Sequence, residues 1–76
     1  MIAYKTKATT DKEALEEVRS WFGKFNYKDL TSNLQDIDDG MYSVADIRRR
    51  LSFYALNGLL VDALIRTYMP KLAKEM

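Results

Sequence analysis

Arg48, Arg49 and Arg50 follow one another in a segment that reads as a helix, and they are the residues best suited to chemistry in this chain. A guanidinium presents a planar fork of donors that grips phosphate, or the edge of guanine, through two hydrogen bonds. Three successive helical positions span about 200° of the circumference, so the three side chains cannot all meet one flat partner. Arg49 and Arg50 point outward, and Arg48 lies beside the apolar stripe. Two readings stay open: an anion-binding face, or a solvated face ion-paired with Asp36, Asp38, Asp39 or Asp46.

Little else carries chemistry. Cysteine is absent, so there is no disulfide, thiolate nucleophile or thiolate metal ligand. Histidine is absent too, which removes the commonest general base and metal ligand. The acidic turn Asp36, Asp38, Asp39 fails as a calcium loop. Counted from Asp36, glycine falls at the fifth place and Ile47 at the twelfth, where the loop needs glycine sixth and glutamate twelfth. Glu13, Glu16 and Glu17 form a charged helix face with Lys12 and Arg19, with no sign of paired catalytic carboxylates. Gly23, Gly40 and Gly58 are isolated at element ends and build no phosphate loop. We expect no enzyme, no cofactor, no metal and no small-molecule substrate.

Helices must position the arginines. Thr10 and Glu13 have the spacing of a capping box, and Leu15, Val18, Trp21 and Phe22 repeat at helical spacing, so a first helix is expected over about 11–22, ending at Gly23. Phe25-Asn26-Tyr27 reads as a short extended link. A second helix follows at about 28–35, with Leu30 and Leu34 inward. Residues 35–40 read as a turn. Ser43 caps a third helix, with Asp46 at the reciprocal position. Val44, Ile47, Leu51, Tyr54 and Ala55 form its stripe; Phe53 and Leu56 fall opposite, so its far end is apolar on two faces and needs a cover. Asn57-Gly58 supplies its C-cap. Residues 59–69 read as helix in preference to strand, with Leu60, Leu64, Tyr68 and Leu72 on one face and Asp62 paired with Arg66. Pro70 interrupts it. Residues 1–9 read as an arm or short edge strand, and 10–76 as a single helical domain.

At 76 residues and 47% hydrophobic content the chain is one small folded domain. It buries only about 60% of its unfolded surface, and without a disulfide such domains often gain stability by oligomerising. The charge is balanced at +1. No signal peptide is visible, and the longest apolar run is far short of the ~20 residues that span a bilayer. A cytoplasmic protein with no membrane partner is expected. One tryptophan, five tyrosines and three phenylalanines are more than so small a core readily hides.

The order of elements from Glu13 to Val61 resembles the core of winged-helix, or helix-turn-helix, DNA-binding regulators. Ile47, Leu51, Phe53-Tyr54 and Gly58-Leu59 carry the likeness, with a short helix before them bearing Leu30 and Leu34. The likeness implies a trihelical core whose third helix, 43–57, is the recognition helix. It implies that Ser43, Arg48, Arg49 and Arg50 meet DNA in the major groove or at its backbone. No wing is legible, and the C-terminal helix takes its place.

The leading expectation is therefore a mainly α, homodimeric DNA-binding regulator or accessory protein. The alternative is a protein-binding adaptor or inhibitor of the small phage or plasmid type. In that case Phe53, Leu56, Leu64 and Tyr68 form the protein interface.

Overall fold

A computed structural model describes residues 6–54 and 57–76. It is mainly α, with no strand among the described residues. The helices are α1 (Asp11–Phe22), α2 (Lys24–Asp36), α3 (Val44–Ser52), α4 (Gly58–Tyr68) and α5 (Pro70–Ala73).

The helices converge on α4. It packs on α1, α2, α3 and α5, whereas α3 packs substantially on α4 alone among the described elements. The core is thus organised around the fourth helix and not around the first three. Its sequence explains this. Leu60, Val61, Ala63, Leu64 and Ile65 are all buried and span about 200° of the circumference. A helix with so wide an apolar face is stable only when several other elements pack on it. The outer helices each contribute a narrower stripe: Ala14 and Val18 from α1, Leu30 and Leu34 from α2, Ile47 and Leu51 from α3, Leu72 from α5.

Three boundaries differ from those read in the sequence. The Phe25-Asn26-Tyr27 segment is helical, because α2 begins at Lys24, directly after Gly23. Gly23 alone makes the corner, at φ 82 and ψ 159. This conformation is essentially confined to glycine. Helix α3 ends at Ser52, about five residues early. Asn57 is not its C-cap but the N-cap of α4, its side chain accepting from the Leu60 amide at 3.1 Å. Ala55 and Leu56 lie outside the described residues, as do residues 1–5, where most of the arm or edge strand was expected.

Polar contacts tie the helices together. Asp62 acts on Arg66 only through its charge, with no hydrogen bond between them. It takes two hydrogen bonds from Arg48, at 3.0 and 3.2 Å, joining α3 to α4. Arg66 instead grips Asp11 of α1 at 2.9 and 2.7 Å. Asp38, read as part of a solvated turn, is buried. Its two oxygens accept the Lys71 and Leu72 amides, each at 3.0 Å, and so cap α5 across the molecule. The Thr6 hydroxyl and Lys7 amide donate to Glu17, laying residues 6–9 along α1.

Candidate functional site

The arginine face is built from the cap upward. The Ser43 hydroxyl accepts the Asp46 amide, and the Asp46 carboxylate accepts the Ser43 amide, both at 3.1 Å. This reciprocal box starts α3 where the sequence placed it. It also commits Ser43, read as a DNA contact, to the helix end. The amide and hydroxyl of Ser43 hold the Asp46 carboxyl below the usual carboxylate range, with Arg49 and Arg50 adding to the effect.

The three arginines have separate fates. Arg48 is bound to Asp62 through both oxygens. Arg50 lies over the Tyr42 ring, 4.7 Å from its centroid, and donates to the Tyr42 hydroxyl at 3.3 Å. None pairs with Asp36, Asp38 or Asp39 among the described residues; the partners are Asp62 and Tyr42. Arg49 alone projects without donating a hydrogen bond to any described residue, with Asp46 as its electrostatic neighbour. Arg48 commits donors to Asp62 and Arg50 one to Tyr42, while Arg49 keeps all five of its N–H groups unused among the described residues. The triplet therefore offers one unengaged fork.

A second feature lies on the other flank of α3. Because α2 and α3 both pack on α4 without closing on each other, an open groove of about 620 Å³ runs between them. Leu30, Leu34 and Ile37 line one wall and Leu51, Phe53 and Tyr54 the other. It continues past Asn33 and Tyr54 toward Phe22, Asn26 and Asp29. The Phe22 and Tyr54 rings meet at 5.3 Å and close this end. Along α2, from Asn26 to Ile37, the helical rise gives a length of about 16 Å. Phe53 stands at the wall with 77% of its surface exposed, and Tyr54 with 53%. Asp29 lines the Phe22 end and Arg50 the Ile37 end.

Of the residues expected at a protein interface, Phe53 is placed on this groove. Leu56 lies outside the described residues. Leu64 is fully buried at the centre of α4, so it belongs to the core and faces no partner. Its place on one face with Leu60, Tyr68 and Leu72 led to its being read as an interface residue, but α1, α2 and α3 pack on α4 and cover it. Tyr68 is half-buried away from the groove, its hydroxyl 2.9 Å from that of Tyr27 and the two rings edge-on at 6.2 Å. Burial, then the bond to Tyr68, pushes the Tyr27 phenol above its ordinary range.

Leu30, Asn33, Ile37 and Leu51 were not singled out as functional from the sequence. No pattern within one helix reveals a gap between two. Among the described residues, no group of three or more acidic side chains is placed to hold a metal ion. No helix there is long and apolar enough to cross a membrane. No family model, curated protein or solved structure matches the chain.

Proposed function

We propose that this chain is a small protein-interaction module whose working surface is the groove between α2 and α3. The exposed Phe53 beside an open trough of leucines is the observation that carries this reading. Aromatic side chains at the centre of an apolar patch supply most of the energy in protein interfaces. The patch has that composition, with Asn26, Asp29 and Arg50 among its polar lining.

The test is capture by the full chain and by its Phe53→Asp variant. Phe53 is 77% exposed, so the variant should keep the parent's helical spectrum. A protein partner held by the parent chain should bind the variant about tenfold more weakly or worse. Equal binding by both would dismiss the groove.

Duplex DNA binding is the second reading, and the outward Arg49 favours it. It predicts salt-dependent anisotropy changes with a random duplex, reduced by Arg49→Ala. A flat titration at low salt would end it.

A further inference from the structure

We infer that the occupant of the α2–α3 groove is a second copy of this chain, related by a two-fold axis, so that Arg50 of each copy meets Asp29 of the other. This rests on the groove being a protein-docking surface and names what fills it.

A two-fold interface sets one patch against itself, so the patch must be its own complement. A patch of one charge sign repels its copy. This groove carries opposite signs at its two ends, Asp29 beside Phe22 and Arg50 beside Ile37. Rotation by 180° about an axis through its middle exchanges the ends and sets each charge against its opposite. Leu30, Asn33 and Tyr54 border both halves and so lie between the charges. An asparagine amide both donates and accepts, so Asn33 is able to pair with its own counterpart across the axis. Phe53 supplies a projecting ring on the same patch that holds the trough, and each copy thus brings both knob and socket. With a net charge of +1, two copies carry little overall repulsion.

Sedimentation equilibrium on the full chain tests this, with circular dichroism reporting the fold of every variant. The parent chain should be a dimer. Asp29→Arg and Arg50→Asp should each weaken self-association about tenfold or more, because each sets like charges together twice. The two single variants mixed in equal amounts should associate again, since every contact then joins opposite charges. Phe53→Asp should be monomeric. If Arg50→Asp loses its helical signal through its Tyr42 contact, Asp29→Arg and Phe53→Asp still decide the matter. A parent chain that stays monomeric at millimolar concentration, or a dimer indifferent to these changes, would overturn the second copy as occupant. In the monomeric case the docking surface itself stands or falls separately, on whether Phe53→Asp abolishes capture of another protein.

Discussion

Each oxygen of Asp38 holds one backbone amide at the start of α5, and the residue has only 8% of its surface exposed. A short helix whose first amides are buried depends on such an acceptor, because an unpaired buried donor costs its full desolvation. Asp38→Ala should therefore lower unfolding free energy by about 1–3 kcal/mol. Amide exchange should accelerate at Lys71 and Leu72 before it does in α4. An unchanged urea midpoint would mean that water replaces the carboxylate at no cost. This contact joins residues more than thirty positions apart, so nothing near Asp38 in the chain announced it. The caps at Thr10 and Ser43 were legible because donor and acceptor are three residues apart.

The corner between α1 and α2 is one residue wide, and its geometry makes two glycines behave oppositely. At Gly23 a Cβ meets no neighbour within 4 Å, but the backbone sits at φ 82. Gly23→Ala should then cost about 1–3 kcal/mol from backbone strain alone. Gly58 opens α4 at a helical position, again with nothing within 4 Å of a Cβ. Gly58→Ala should raise stability by about 0.4–1 kcal/mol by narrowing the unfolded ensemble. Chemical denaturation of the two variants, read side by side, checks both signs. The sequence showed that helices end near these glycines but not which side each serves. Phe25-Asn26-Tyr27 alternates as a strand does, yet it is a helical turn with Tyr27 inward and Phe25 exposed. Asn57 suits a C-cap and an N-cap alike, so only the early end of α3 reveals its role.

Across the whole molecule the carboxylates set the response to pH. Asp11 is held below its ordinary value by its bonds to Arg66, Glu13 by the hydroxyl and amide of Thr9, and Asp46 by Ser43. A depressed folded value means that the unfolded chain binds more protons as pH falls. The stability these groups lend is complete above the ordinary values of 3.8 and 4.5 and is lost as pH falls through the folded ones. With no histidine to titrate near neutrality, denaturation midpoints should be level from about pH 8 to about pH 5 and decline below about pH 4. Asp46→Asn should make that decline shallower; a midpoint that holds steady down to about pH 3 would show these bonds to be worth nothing. The mainly α class was legible from helical periodicity, while the hub was not, since residues 59–69 were read with one inward face of Leu60 and Leu64, whereas α4 also buries Val61, Ala63 and Ile65. That arrangement carries a consequence for the cell. The ribosome delivers α1, α2 and α3 before the helix that receives them. At synthesis rates of about 5–20 residues per second, the finished α1 waits roughly two to ten seconds for α4. Until α4 is complete, Val18, Leu34 and Leu51 lack the helix that they share in the folded chain.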